Sequence, residues 1–183
     1  MPIACERDPK TVLCVATGAA PGNAVHFRKG VDLLIEAAQQ LPDHRFTVAG
    51  TLDPGAYQGL PDNIRMLGSC TPDQLRVEFA HHSIYAQPSV MEGFPNALCE
   101  AMRMGCLPVV SNITSMPEIV GPTGVVVNER TTAALIAAIR ATSSLPLSEQ
   151  LLRRQAASSH ISPFTMERRV GALLTAIQVE ETE

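Results

Sequence analysis

The sequence has no tryptophan and two tyrosines, and aromatic residues make up 4% of its 183 positions. A surface that stacks the bases of a single strand needs such rings. Positive charge is also short: 14 Lys and Arg stand against 18 Asp and Glu, a net charge of −4. This balance excludes the broad basic face that gathers phosphate backbones, so nucleic acid is not expected as a partner. No apolar run reaches the ~20 residues that cross a bilayer. The opening Met1-Pro2-Ile3-Ala4-Cys5-Glu6-Arg7-Asp8 lacks the apolar stretch of a secretion signal. The five cysteines, Cys5, Cys14, Cys70, Cys99 and Cys106, are odd in number and none are spaced as CxxC. A disulfide framework or zinc knuckle is therefore not expected. Cys14 and Cys99 lie in apolar patterns and read as small buried hydrophobes. A reducing, cytoplasmic compartment is expected.

What is present is an alternation of short β runs and helical patterns, in a length suited to one domain. Thr11 to Ala16 is a continuous apolar run, as for a strand buried on both faces. A Gly/Pro/Asn-rich loop from Gly18 to about His26 follows. Val31, Leu33, Leu34, Ala37, Ala38 and Leu41 then recur at helical spacing until Pro42. Further strands are predicted at Arg45–Gly50, Ile64–Leu67, Ile84–Ala86, Leu107–Ser111 and Val125–Val127. Thr71-Pro72 opens a helix as N-cap and first position. Another helix runs from about Pro95 to Gly105, which has the character of a stop. From Thr131 to about Ile177 the pattern is helical, with breaks at Pro146 and Pro163 and a C-terminal helix over about 160–183. Val179 to Glu183 is acidic and expected to fray. This alternation predicts an α/β fold with a doubly wound parallel sheet.

Such sheets bind ligands beyond the carboxyl ends of their strands. Two strand-to-helix junctions carry chemistry: Gly18 to Gly30, ending Phe27-Arg28-Lys29-Gly30, and Pro88 to Glu100. In the second, Gly93 permits close backbone approach and Pro95 suits a first helical turn. Amides around Gly93 and Phe94, with the helix dipole, would suit a diphosphate. Were the whole segment helical, the eight residues from Glu92 to Glu100 would span about 12 Å. That is the reach of an elongated nucleotide-sugar, with one carboxylate on ribose and the other on the sugar. Two acids beside a diphosphate need cations. Arg28 and Lys29, expected at the start of the first helix on the same rim, supply them. Spacing alone leaves a plainer reading open, since glutamates eight apart and an Arg-Lys pair are also ordinary solvated surface.

At these residues the sequence resembles the retaining group 1 (family 4) glycosyltransferases. Glu92-Gly93-Phe94-Pro95-Asn96-Ala97-Leu98-Cys99-Glu100 resembles that family's signature of two glutamates separated by seven residues, and Gly105 to Ser111 its continuation. Phe27-Arg28-Lys29-Gly30-Val31-Asp32 with Leu33 to Ala37 resembles its phosphate-binding junction. Gly68 with Thr71 to Leu75, and Pro117-Glu118-Ile119-Val120, also fit. The resemblance implies one Rossmann-like half of a GT-B enzyme, the C-terminal donor domain, with an N-terminal acceptor domain elsewhere. It implies Glu100 on the ribose, Glu92 on the transferred sugar, and Lys29, Arg28 and the backbone of Gly93, Phe94 and Pro95 on the diphosphate. Gly68 and Ser69 would line the base with Cys70. No cofactor and no metal are implied, the substrate being a UDP-, GDP- or similar sugar. A glycan or lipid-linked acceptor, polysaccharide biosynthesis and peripheral membrane association of a longer enzyme also belong to this expectation. Two departures stand out: Ala19 follows Gly18 where many members have Arg, and Thr114-Ser115-Met116 replaces a Gly-Gly pair.

Other polar residues read more plainly. His81-His82 suits a cation at a helix C-terminus. His26 reads as loop surface, Phe27 and Phe94 as packing under the loops, and Glu118 as a local cap or pair. Met102, Met104 and Met116 read as core fillers. A stand-alone nucleotide-sugar-binding module without catalysis is the alternative to a transferase. A nucleotide-sugar epimerase is a third reading, disfavoured by the paired glutamates.

Overall fold

The run Thr11–Val15 forms β1 with its first four residues buried, because apolar side chains leave it on both faces and each face is covered by helices. The computed structural model describes residues 7–164 and residue 175. Along the chain follow α1 (Ala24–Arg28), α2 (Val31–Gln40), β2 (Arg45–Ala49), β3 (Ile64–Met66), α3 (Pro72–His81) and β4 (Ile84–Gln87). Then come α4 (Asn96–Arg103), β5 (Leu107–Ser111), α5 (Met116–Val120), β6 (Val125–Val127), α6 (Thr132–Ser143) and α7 (Leu147–Ile161). The strands make one parallel sheet in the order β3-β2-β1-β4-β5-β6. This is the doubly wound, Rossmann-like fold that the strand–helix alternation predicts.

Alternate residues of each strand feed two cores. Val12, Cys14, Phe46, Val48, Ile84 and Val109 pack under α2 and α6. Leu13, Tyr85 and Val110 pack with Phe79 of α3, Leu98 and Met102 of α4, and Ile161 of α7. Cys14, Cys99, Met102 and Met116 are buried and Met104 is half-buried, as their patterns suggest.

The helix ends follow local chemistry. Thr71 and Gln74 form a capping box, with Pro72 in the first turn of α3. Beyond α4, Gly105 takes φ 81° and its N–H bonds Met102 O at 2.9 Å, while Cys106 N–H bonds Ala101 O at 2.9 Å. That pattern satisfies the last carbonyls. Pro146 caps α7, which ends at Ile161 before Pro163. The helix expected over 160–183 and the acidic end lie outside the described residues beyond 164, residue 175 apart.

The differences are short elements. α1 occupies part of the expected loop, closed by Asn23, whose side chain accepts from His26 N. At five residues it is too short to leave a periodic trace. α5 and the single 3₁₀ turns at Pro54–Ala56 and Gly121–Thr123 escape for the same reason. Among the described residues no helix is long and apolar enough to cross a membrane.

Candidate functional site

β1 and β4 are paired neighbours, yet the chain leaves β1 toward β2 on one side and β4 toward β5 on the other. At such a switch point the two following connections part and open a crevice beyond the strands. Both chemically loaded junctions are these connections.

Gly30 brings them together. Its φ of 70° is a left-handed conformation, and an added Cβ would lie 2.3 Å from Pro88 O. Only glycine allows that conformation and that approach at once. Alongside it, Val90 N–H donates to Arg28 O at 2.9 Å. Lys29, the C-cap of α1, is thereby set against the loop after β4. Its Nζ lies 2.7 Å from Glu92 Oε1 and 2.9 Å from Oε2. Ser89 Oγ donates to Oε1 at 2.7 Å. The two charged side chains are 18% and 9% exposed, so this pair is shielded rather than lying on open surface.

The electrostatics follow. Burial pushes the Glu92 carboxyl up, but hydrogen bonds from Lys29, Ser89 and Gln87 outweigh it and leave its pKa below the ordinary value. Cys14, beneath the pair on β1, is pushed up to about 12 by burial and stays a thiol.

The other expected residues are distributed around this pair. Arg28 is exposed, the last residue of α1 rather than the start of a helix, because Gly30 ends one helix and begins the next. It lines a cleft of about 440 Å³ with Ala24, Phe27, Val90, Met91 and Arg130. Gly93 is exposed, with open space where a Cβ would stand. Phe94 is half-buried against the core, as expected, while Phe27 is 49% exposed and does not pack under the loops. Pro95 is the N-cap of α4, with no side chain capping the helix start. Helix begins only at Asn96, so Glu92 to Glu100 is not one helical span. Glu100 does not join Glu92. It is exposed on α4 in a groove of about 300 Å³ with Pro72, Arg76, Phe79, Arg103 and Met104. Gly68 O accepts from Gly50 N at 3.0 Å, and Ser69 is exposed on the loop after β3.

The two departures have structural correlates. Ala19 is fully buried and its carbonyl accepts from Leu52 N at 2.8 Å, so this position is core. Thr114 holds φ 45°, a left-handed conformation costly for a β-branched residue and easy for glycine.

Three plainer expectations are corrected. His26 is 8% exposed, with Nδ1 3.3 Å from Tyr57 OH, because α1 turns it inward. Burial lowers its pKa, with Asp32 opposing. His82 is no helix-end cation: burial lowers its pKa, and a neutral ring fits its contacts. Nδ1 donates to Glu78 O at 2.7 Å, leaving Nε2 to accept from Thr47 Oγ1 at 2.9 Å. Glu118 stands exposed in the first turn of α5, and no hydrogen bond or ion pair holds it among the described residues. Three contributors carried no signal in spacing: Ser89, Gln87 and Arg130. The last ties α6's approach to α1 and α2, donating to Phe27 O at 3.1 Å and pairing with Asp32 at 2.8 Å.

The chain is 31% identical over 106 residues to the gpi3 subunit of phosphatidylinositol N-acetylglucosaminyltransferase of Schizosaccharomyces pombe, covering 52% of this chain and 23% of that protein. It is 32% identical over 126 residues to O-antigen chain mannosyltransferase B of Escherichia coli, covering 61% and 33%. The chain thus spans a quarter to a third of the length of these curated relatives. In structure, S. aureus TarM, solved in complex with UDP, superposes over 94% of this chain and 36% of its own, with TM-score 0.77 and 15% identity. The family described as Glycosyl transferases group 1 matches residues 11–144, both junctions included. The chain belongs to the group 1 glycosyltransferases.

Proposed function

We propose that this chain is the donor-binding domain of a retaining GT-B glycosyltransferase, acting on a nucleoside-diphosphate sugar. The observation that carries the reading is the shielded Lys29–Glu92 pair beyond β1 and β4, at the switch point of the sheet. Lys29 is the cation that turns from Glu92 to the diphosphate, assisted by Arg28 and by the uncapped start of α4 near Gly93, Phe94 and Pro95. Glu92, held ionised, positions the sugar and favours its cationic transition state. Glu100 accepts from the ribose hydroxyls, and Gly68 and Ser69 border the base. Charge at the phosphates is carried by side chains and helix dipole, with no metal and no cofactor in the reading. The acceptor domain belongs to a longer cytoplasmic protein, in keeping with the small share of each relative that the chain spans.

Thermal melts of the chain against UDP-, GDP- and ADP-sugars test this. A ligand at a hundred times its Kd stabilises the fold by about 2.7 kcal/mol. One nucleotide class should give such a rise, and Glu100→Ala should reduce it. No rise with any of them, or an undiminished rise in Glu100→Ala, would sink the donor site or the ribose role respectively.

A further inference from the structure

The groove that holds Glu100 has two walls. Pro72, Arg76 and Phe79 form one, on α3, and Glu100, Arg103 and Met104 form the other, on α4 and its C-cap. One side chain binds the backbone of both walls. Arg7, in the segment that leads into β1, donates from Nη1 to Phe79 O at 2.9 Å and to His82 O at 2.8 Å. Its Nη2 donates to Met104 O at 2.6 Å. All three carbonyls belong to helix ends, those of Phe79 and His82 to α3 and that of Met104 to α4. Such carbonyls lack intrahelical partners, and a cation beside them is favourable.

Capping is half of what this contact does. A guanidinium is planar, with its terminal nitrogens a fixed distance apart. Bonds from both nitrogens, one to each wall, therefore also set the separation of Phe79 and Met104. Cys106, with Sγ 3.8 Å from Arg7 Nη1, repeats the link through Phe79 O at 3.2 Å and His82 O at 3.4 Å. Other bonds hold each helix to its own neighbours. Arg65 of β3 donates to Glu78 of α3 at 2.5 Å, and Ser158 of α7 donates to Arg103 O at 3.1 Å.

We infer that Arg7 is a positioning residue of the donor site: by gauging the distance between α3 and α4 it places Glu100 against the ribose of a nucleotide in the groove. The inference rests on the proposed reading of Glu100. The diphosphate end is built differently. Lys29 is set by the close approach of Gly30 to Pro88 and by the Val90–Arg28 bond, in connections that Arg7 does not bond. The start of α4 lies at the opposite end of that helix from Met104. Arg7 thus acts on the nucleoside half of the ligand and leaves the phosphate half alone.

Calorimetric titrations of the 183-residue chain with UDP, GDP and ADP, the tightest carried forward, and with inorganic pyrophosphate test this. In Arg7→Met the nucleoside diphosphate should bind about tenfold more weakly, while pyrophosphate stays within about twofold of wild type. Arg7→Lys keeps a cation at both helix ends but has one nitrogen in place of the fork. It should melt above Arg7→Met, yet its nucleotide binding should stay weak. Added to Glu100→Ala, Arg7→Met should cost no further nucleotide affinity, because the two act through one contact.

A purely structural role predicts otherwise. Parallel loss of both ligands in Arg7→Met, wild-type nucleotide affinity in Arg7→Lys, or a further loss on Glu100→Ala each overturns the inference. Loss of folding in both Arg7 variants overturns it too, since Arg7 would then hold the fold rather than the groove. A wild-type chain that binds no nucleoside diphosphate, or no pyrophosphate, removes the donor reading and this inference with it. Nucleotide binding that weakens in Glu100→Ala but not in Arg7→Met removes the role of Arg7 alone.

Discussion

Lys29 and Glu92 neutralise each other across 2.7 Å, and this makes their substitutions act in opposite directions. Lys29→Met removes the cation nearest the proposed phosphates and should weaken nucleoside-diphosphate binding about a hundredfold, or roughly 2.7 kcal/mol. Glu92→Gln frees the Lys29 ammonium and removes a repelling charge. It should tighten binding of the bare nucleoside diphosphate about tenfold, while transfer by a protein that carries this domain falls. Calorimetric titration checks both. Weaker diphosphate binding by Glu92→Gln would show that the carboxylate does not compete for Lys29. Both residues were legible in the sequence as charged members of loaded junctions, whereas Ser89, inside the second junction, carried no such signal. A serine acquires meaning here only through the carboxylate 2.7 Å away.

Elements were legible in proportion to how local their causes are. α3 is announced by Thr71, Pro72 and Gln74, and the end of α4 by Gly105, all within a few residues of the boundary. α1 is not, because its five residues exist mainly to turn the chain between Asn23 and Gly30. That turn gives Gly30 its importance, which lies in distance as much as in φ. Gly30→Ala would push a Cβ against the Pro88 carbonyl and strain the backbone as well, at a cost of about 3 kcal/mol. It should also separate Lys29 from Glu92. Urea unfolding reads the first effect, and the pKa of Glu92, expected to rise toward its ordinary value, reads the second. An Ala variant with wild-type stability would mean that the Pro88 loop yields freely.

For the whole molecule, two buried histidines couple folding to protons. His82 and His26 both have pKa values lowered from 6.5, chiefly by burial. The unfolded chain therefore takes up protons first as pH falls. Their contribution to stability is complete above 6.5 and is lost progressively below it. Urea midpoints should fall as pH drops from neutrality through 6.5 toward the folded values. His82→Gln should flatten that slope, even where it lowers stability throughout. An unchanged slope in His82→Gln would assign the pH dependence to other groups.

The sequence by itself determined the alternation of strands and helices, the Rossmann-like class, most helix ends and the two junctions that hold the candidate site. These depend on side-chain periodicity and on capping within a few residues, which a linear reading contains. Only the tertiary structure decided that β4 lies beside β1 rather than at an edge, and this is what sets Lys29 against Glu92 across 63 residues of chain. It also decided that His26 and His82 are buried and uncharged, that Ala19 is core, and that Glu100 stands apart from Glu92. Burial, and the pairing of charges distant in sequence, follow from strand order and from which face a helix covers. No short stretch of sequence specifies either.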